Sequence, residues 1–282
     1  MNSKKNREVL QINTARPASD GAGVKLNRVF GGKPEVYDPF LLLDAFGSEE
    51  ATDYIAGFPS HPHRGFETVT YMLEGKMLHE DHMGNKGLLS NGDVQWMTAA
   101  RGIIHSEMPQ QEEGRMSGFQ LWVNLPASEK MKDPFYRDIP ANDIPEANFN
   151  GIKVKAIAGE IDINGDHLIG AVSGLSTEPL YLDVHMPADS EISIPVEDGH
   201  TALLYVYDGS VNVVGKRIDD LQIGVMDKQG DVNVRSANNS RFLLLAGKPI
   251  EESVVQHGPF VMNTVQEIEQ AIQDYRDGSL TT

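Results

Sequence analysis

Three of the nine histidines and one glutamate form two pairs whose members are two residues apart. His61 and His63 are the first pair, and His105 and Glu107 follow about forty residues later. Residues i and i+2 of a β-strand project from one face, so each pair can chelate an ion. On neighbouring strands the pairs would present three imidazoles and one carboxylate, which suit a divalent transition metal such as Fe(II), Mn, Co, Ni or Zn. One such pair alone is equally compatible with ordinary polar residues on solvated strands, but two pairs favour a metal site.

Other residues near these pairs have a choice of roles. Glu67 follows in the run His-Pro-His-Arg-Gly-Phe-Glu, where it either orients a ligand imidazole or pairs with Arg64. His79 and His82 are three residues apart, which places two strand residues on opposite faces, so we expect neither to contact metal. Four large apolar residues either line a mouth beside the metal or fill the core, and we favour the core: Trp96, Met97, Phe119 and Trp122.

The composition excludes several kinds of chemistry. The chain has no cysteine, which rules out disulfides, thiolate nucleophiles, Cys-ligated zinc and iron–sulfur clusters. Its 24 Lys and Arg against 41 Asp and Glu give a formal charge of −17, which disfavours direct binding to nucleic acid or to acidic lipid. No phosphate-binding, dinucleotide or nucleophile-elbow motif is present. The metal is therefore the one evident source of reactivity.

The hydropathy pattern bears on location. The first 30 residues contain no apolar run behind a basic start, and no window of about 18 residues is continuously apolar. We therefore expect neither a signal peptide nor a membrane-spanning segment, and we expect a cytoplasmic protein.

Short apolar runs separated by turn residues predict an all-β fold. A run ending at Leu73 meets Glu74-Gly75, and a run ending at Tyr207 meets Asp208-Gly209, which are hairpin signals. Residues 180–186 alternate strictly between apolar and polar, as in a half-buried strand. Many such strands at regular spacing favour sandwiches or barrels.

The chain length and the distribution of prolines predict two domains, and a capping motif predicts one helix. A chain of 282 residues is long enough for two cores. Prolines cluster between residues 126 and 145, so we expect domains at 1–130 and 131–282. Near the C-terminus Thr264 and Glu267 form a capping box, and Gly278 can end the helix. The apolar face of this helix is predicted to comprise Val265, Ile268, Ala271, Ile272 and Tyr275.

The two halves of the chain resemble a repeat. Gly75 aligns with Gly209, and Gly92-Asp-Val aligns with Gly230-Asp-Val. In this alignment no metal ligand is retained in the second copy, because the four ligand positions are occupied by Pro195, Glu197, Leu243 and Leu245. We therefore predict one metal per chain, in the first copy.

Residues 61–75 and 92–107, together with 38–44 and 258–263, closely resemble the pirin family of the cupin superfamily. The resemblance covers nearly the whole chain. It implies a bicupin, in which two stacked β-barrels of the jelly-roll type carry one iron in the N-terminal barrel. Its ligands would be His61, His63, His105 and Glu107. Ala100 departs from the pattern, because pirins usually have Gly there.

The family resemblance implies two classes of function. The first is an enzyme similar to quercetin 2,3-dioxygenases, which open a flavonol ring with O₂ and release CO. In that case the metal binds the 3-oxygen of the substrate, and Glu107 takes the hydroxyl proton. The second is a non-catalytic, iron-dependent regulator that acts through a protein partner. We favour the enzyme; a zinc isomerase or a storage protein fits the fold but not the motifs.

Overall fold

The computed structural model describes residues 5–163 and 165–282, and these residues are predominantly β-strand. The first thirteen strands are β1 (Val9–Thr14), β2 (Arg16–Asp20), β3 (Val24–Gly31), β4 (Phe40–Ser48), β5 (Phe58–His63), β6 (Phe66–Glu74), β7 (Met77–Asp81), β8 (Lys86–Leu89), β9 (Val94–Thr98), β10 (Ile103–Pro109), β11 (Met116–Asn124), β12 (Phe135–Ile139) and β13 (Glu146–Phe149).

The remaining elements complete the described chain. The later strands are β14 (Ile152–Ala158), β15 (Glu160–Ile163), β16 (Asp166–Ile169), β17 (Leu180–Met186), β18 (Ser190–Ile194), β19 (Thr201–Asp208), β20 (Ser210–Val213), β21 (Lys216–Asp219), β22 (Gln222–Met226), β23 (Val232–Ser236), β24 (Ser240–Gly247), β25 (Val255–His257) and β26 (Phe260–Met262). The helices are α1 (Pro34–Tyr37) and α2 (Val265–Arg276), with 3₁₀ turns at Ala51–Asp53, Ala127–Glu129 and Ala141–Asp143. Neither α-helix is long and apolar enough to cross a membrane.

The chain divides into two compact units that differ from the expected domains at 1–130 and 131–282. The histidine-bearing unit comprises residues 16–141 and 250–282, and the apolar unit comprises the N-terminal segment up to Ala15 and residues 142–249. The N-terminal segment joins the apolar unit because β1 pairs with β22. The C-terminal segment joins the histidine-bearing unit because Arg64 pairs with Asp274 and the Arg64 carbonyl accepts a hydrogen bond from the Val261 N–H. Neither association is local in sequence.

Each unit contains one seven-stranded and one four-stranded antiparallel sheet. In the histidine-bearing unit their orders are β12-β9-β6-β11-β4-β3-β2 and β5-β10-β7-β8. In the apolar unit they are β1-β22-β19-β24-β17-β14-β13 and β18-β23-β20-β21. The predicted all-β fold and its duplication are therefore confirmed, although the described strands form open sheets and no closed barrel.

The common topology corrects the alignment of the two copies. Strand β5 corresponds to β18, and β10 corresponds to β23. Gly92 precedes β9, whereas Gly230 precedes β23, so the Gly-Asp-Val match joined strands that are not equivalent. Leu243 and Leu245 lie on β24, the counterpart of β11. The assignment of ligand positions to Pro195, Glu197, Leu243 and Leu245 is therefore wrong.

The strand registers, with the match of Gly75 to Gly209, give the equivalences. His79 lies four residues after Gly75 and is opposite Glu107, and Val213 lies four residues after Gly209 and is opposite Val234. His105 is opposite His61, and Val232 is opposite Ile194. The residues that correspond to His61, His105 and Glu107 are therefore Ile194, Val232 and Val234, all of them buried in the core of the apolar unit.

Helix α2 begins as predicted. The Oγ1 atom of Thr264 accepts a hydrogen bond from the backbone N–H of Glu267, and the carboxylate of Glu267 accepts one from the Thr264 N–H. Ile268 and Ala271 are buried against a small cluster that includes Phe260. Two members of the predicted apolar face are instead exposed, Val265 and Tyr275.

Candidate metal centre

The three histidines predicted as ligands meet because β5 and β10 are adjacent. His61 and His105 are directly opposite each other, and His63 lies two residues further along the same face of β5. The Nε2 atom of His61 is 3.0 Å from Nε2 of His63 and 2.9 Å from Nε2 of His105. Two ligands at right angles, each about 2.1 Å from an ion, are about 3.0 Å apart, so this spacing fits a shared metal.

For His61 and His63, the neighbour of the Nδ1 atom indicates which ring nitrogen carries the hydrogen. Nδ1 of His61 is 2.8 Å from the carbonyl of Pro59, and Nδ1 of His63 is 3.4 Å from the carbonyl of Pro259. A carbonyl only accepts, so both Nδ1 atoms carry hydrogen and both Nε2 atoms of the neutral rings have lone pairs. Two lone pairs that face each other at 3.0 Å repel unless a cation lies between them. The donor set therefore fits a metal ion.

Burial keeps two of the three imidazoles, His63 and His105, neutral. His63 and His105 are 3% and 1% exposed. Desolvation lowers the pKa of both imidazoles well below the ordinary value, and neighbouring histidines lower it further. Neutral imidazole is the form that binds metal, so these two ligands need release no proton at neutral pH.

Glu107 lies at the same site but outside the cluster of three imidazoles. Among the described residues, the group whose ligand atoms lie within 4.8 Å of one another contains the three histidines alone. Glu107 is 5% exposed and lines the same cavity as His61 and His63. Its Oε1 atom accepts a hydrogen bond of 2.8 Å from Oγ1 of Thr70. Its assignment as the fourth ligand stays a prediction.

Thr70 connects Glu107 to the cavity. Oγ1 of Thr70 is also 2.6 Å from the side-chain amide of Gln120. A hydroxyl carries one proton, so it donates to only one of these two neighbours. If Glu107 is ionised and accepts that proton, the Gln120 amide must donate through its nitrogen to Thr70; the orientation of an amide follows from such a network.

Glu67 has neither of the two neighbours proposed for it. It is 1% exposed on β6, and its Oε1 atom accepts a hydrogen bond of 2.6 Å from Thr98 Oγ1. Burial raises the pKa of the Glu67 carboxyl, and the Thr98 bond opposes this effect. Arg64 pairs instead with Asp274, at 2.6 Å. Glu67 is thus a buried carboxyl outside the three-histidine group.

His79 is nearer to the site than its sequence spacing indicated. It is fully buried, and its Nδ1 atom lies 3.3 Å from Nδ1 of His105. It is not part of the three-histidine group. That it does not contact the metal stays a prediction. The register of β7 on β10, which places His79 opposite Glu107, brings it there. These strands are not consecutive in the chain, so no local sequence pattern reveals the contact. Nδ1 of His82 accepts a hydrogen bond from the Ile104 N–H, and the His82 backbone N–H donates one to the Ile104 carbonyl.

A cavity of about 940 Å³ opens on the histidines. Of the four large apolar residues, Trp122 lines this cavity, with its ring 5.3 Å from that of His63. The other three are buried in the core, as favoured from the sequence: Trp96, Met97 and Phe119. Arg28 also lines the cavity and binds Asp44 through two hydrogen bonds of 2.8 and 2.9 Å. The site thus combines an aromatic wall with fixed polar groups.

Comparison with known proteins gives consistent matches along the chain. Residues 23–123 match the family described as Pirin, and residues 181–281 match the Pirin C-terminal cupin domain. A Pseudomonas aeruginosa protein named "Putative quercetin 2,3-dioxygenase" is 56% identical over 279 residues, which cover 97% of this chain and 98% of the relative. Human "Pirin" is 42% identical over 274 residues, which cover 93% of this chain and 90% of the relative.

A solved structure shows the same architecture. The crystal structure of a quercetin 2,3-dioxygenase from Acinetobacter baumannii superposes with a TM-score of 0.90 and 32% sequence identity. The match covers 99% of each chain.

Proposed function

Because the chain belongs to the pirin family and has its two cupin domains, we propose that it is a metal-dependent dioxygenase that cleaves quercetin-like flavonols with O₂ and releases CO. The names of the Pseudomonas relative and of the Acinetobacter structure support this reaction. The cytoplasmic location stays a prediction from the sequence.

One observation carries the proposal. Two imidazoles, His63 and His105, place their Nε2 atoms close to that of His61, at 3.0 and 2.9 Å. His63 and His105 are almost fully buried, and His61 and His63 line a cavity of about 940 Å³. Nothing in an apolar core or a solvated surface requires this convergence. A cavity of this size accommodates a three-ring flavonol, since binding sites for small molecules range from about 300 to 1,000 Å³.

The residues that would hold the metal are His61, His63 and His105, with Glu107 as the proposed fourth ligand. We propose one ion per chain, Fe(II) in the first place, with Mn, Co, Ni and Zn as the alternatives. When bound, the metal would supply a Lewis acid and a template at which the flavonol oxygen and O₂ meet. Burial keeps His63 and His105 neutral, and the carbonyls of Pro59 and Pro259 orient His61 and His63.

Glu107 is the proposed base. Its carboxylate lines the cavity, where it can accept the 3-hydroxyl proton of a bound flavonol. The hydroxyl of Thr70 holds one carboxylate oxygen at 2.8 Å and leaves the other for the metal and the substrate hydroxyl. Gln120, on the far side of Thr70, lines the cavity as well. Thr70 and Gln120 thereby restrict the orientation of the base.

The remaining walls would bind and orient the flat substrate. Trp122 presents an aromatic surface beside His63, and Phe58 lines the same cavity. Flat aromatic molecules stack against such rings at centroid distances of about 4.5–7 Å. Arg28, held by Asp44, provides a fixed cation for the polar groups of the substrate.

The test is anaerobic reconstitution with each candidate metal, followed by addition of quercetin and O₂. We expect consumption of O₂ and release of CO in equal amounts, with redox-inert Zn giving poor activity. The metal-free protein and the His61→Ala and His105→Ala variants are the controls and should show neither gas change. Folded, metal-loaded protein that neither consumes O₂ nor releases CO would contradict the proposal and return the regulatory alternative to first place.

A further inference from the structure

The three imidazoles of the metal centre differ in what holds their outer nitrogens. Nδ1 of His61 and Nδ1 of His63 face backbone carbonyls. Nδ1 of His105 faces another imidazole nitrogen, Nδ1 of His79, at 3.3 Å. A carbonyl accepts in every protonation state, whereas an imidazole nitrogen accepts only when it carries no hydrogen. The orientation of His105 therefore depends on the state of His79.

The position of hydrogen on both rings follows from the geometry. Nε2 of His105 is directed at Nε2 of His61, 2.9 Å away. To offer a lone pair there, the neutral His105 ring must carry its hydrogen on Nδ1. That N–H has Nδ1 of His79 as its acceptor, so the neutral His79 ring must carry its own hydrogen on Nε2.

The surroundings fix His79 in this place. The ring is fully buried, with its centroid 4.9 Å from the His105 ring and 4.8 Å from the Tyr136 ring. Its strand, β7, pairs with β10 so that His79 is opposite Glu107. Within residues 5–163 and 165–282, Nε2 of His79 has no hydrogen-bond partner. The contact with His105 is thus the one hydrogen bond that this buried side chain makes.

We propose that His79 is a positioning residue of the metal centre: its Nδ1 accepts the Nδ1–H hydrogen bond of His105, which directs the Nε2 lone pair of His105 to the metal. His79 does not bind the metal itself. This inference rests on the proposed metal site. Groups that orient ligand imidazoles typically change metal affinity about 10–100-fold when they are removed.

The test compares two variants of almost equal shape, His79→Asn and His79→Leu. The side-chain amide oxygen of Asn can stand where Nδ1 stands and accept from His105, whereas Leu has no acceptor. We expect the Leu variant to lose about 10–100-fold in Co(II) affinity and to change the visible spectrum of bound Co(II). The Asn variant should retain affinity and spectrum within about threefold. His167→Leu, which changes an exposed histidine of the apolar unit, is the matched control.

The outcomes separate the positioning role from the metal site itself. If the unaltered protein binds no Co(II), the proposed function and this inference both fail. If the unaltered protein binds Co(II) and both variants bind it equally well, the positioning role alone is wrong. If both variants lose binding as completely as His105→Ala, His79 is a ligand and the inference is overturned.

A second measurement needs no substitution, so it holds even if a variant does not fold. Long-range ¹H–¹⁵N correlation spectra of the Zn(II)-loaded protein report which nitrogen of each imidazole carries hydrogen. We expect hydrogen on Nδ1 of His105 and on Nε2 of His79. Hydrogen on Nδ1 of His79 would leave His105 without an acceptor there and would overturn the inference.

Discussion

The histidine-bearing unit and the apolar unit have the same arrangement of sheets. They differ at one pair of equivalent strands, whose inward side chains are imidazoles in the first unit and aliphatic in the second. On β5 and β10 the inward positions include His61, His63 and His105, and on β18 and β23 they are aliphatic, at Ile192, Ile194, Val232 and Val234. The aliphatic residues belong to one continuous buried cluster. The imidazoles instead meet one another beside a cavity. The strand framework therefore forms without histidines at these positions. Burying the imidazoles costs free energy, and the framework does not require that cost.

The largest expected effect comes from giving β5 and β10 aliphatic inward side chains like those of the apolar unit. The triple variant His61→Ile, His63→Ile, His105→Val should lose metal completely and so have no dioxygenase activity. Without metal it should also be more stable than the unaltered protein, with a Tm at least about 2–4 °C higher, because aliphatic groups replace buried imidazoles. Elemental analysis and thermal unfolding of the metal-free proteins measure both effects.

The control for this exchange is His167→Ile in the apolar unit, which should alter neither metal content nor Tm. Elemental analysis of the unaltered full chain should give one metal. Two metals per chain, or a triple variant that retains metal, would break the comparison, because the apolar unit would then hold an ion of its own.

The two buried carboxyls of the histidine-bearing unit should differ in importance. Glu107→Gln should abolish turnover and weaken metal binding strongly, because it removes the only carboxylate charge proposed at the metal. Glu67→Gln should cost at most about 10–100-fold, since Glu67 bonds to Thr98 and lies outside the three-histidine group. Metal titration and steady-state rates of both variants show which of the two carboxyls matters more for metal binding and turnover. Equal effects would mean that the fourth ligand is assigned to the wrong carboxyl.

The buried imidazoles should make the metal-free protein sensitive to acid. Burial holds the pKa of His63 and His105 well below 6.5 in the folded state. As the pH falls through about 6.5, the unfolded chain takes up protons that the folded chain does not, so stability is lost on the acid side. For two such groups the loss approaches about 2.7 kcal/mol per pH unit.

Urea unfolding of the metal-free protein between pH 8 and 5 measures this dependence. The triple variant should show a shallower loss of stability below pH 6.5, and both proteins should respond alike above pH 7.5. Parallel curves over the whole range would show that these imidazoles are already solvated before unfolding.

The smallest effect concerns the connection between β9 and β10. Ala100 has a φ of 44°, whereas the corresponding connection between β22 and β23 has Gly230, with a φ of 95°. Because a left-handed conformation strains a residue with a side chain, Ala100→Gly should stabilise the protein by at most about 1 kcal/mol. Ala99→Gly, at a buried neighbour without positive φ, should destabilise it. A lower Tm for Ala100→Gly would show that the strain is compensated locally.

Local patterns predicted the parts of the site that lie within single strands. A few consecutive residues define each of three motifs that the sequence reveals: His61 with His63, His105 with Glu107, and the capping box of α2. The contact between His79 and His105 depends on the register of two strands, which no single run of sequence specifies. The pairing of β1 with β22 joins segments about 200 residues apart, and its formation depends on which other edges are already occupied. The false match at Gly-Asp-Val arose because such a turn can precede any strand.

The exchange of terminal segments between the units also orders events during synthesis. The apolar unit contains β1 and cannot be completed until residue 249 has been made, and the histidine-bearing unit requires residues 250–282. Pro259, whose carbonyl holds Nδ1 of His63, and Asp274, which pairs with Arg64, both belong to this last segment. A growing chain thus carries His61, His63 and His105 through most of translation before the contacts that orient His63 exist. The proposed metal centre consequently needs residues 250–282, and a product truncated before Pro259 lacks the carbonyl that orients His63.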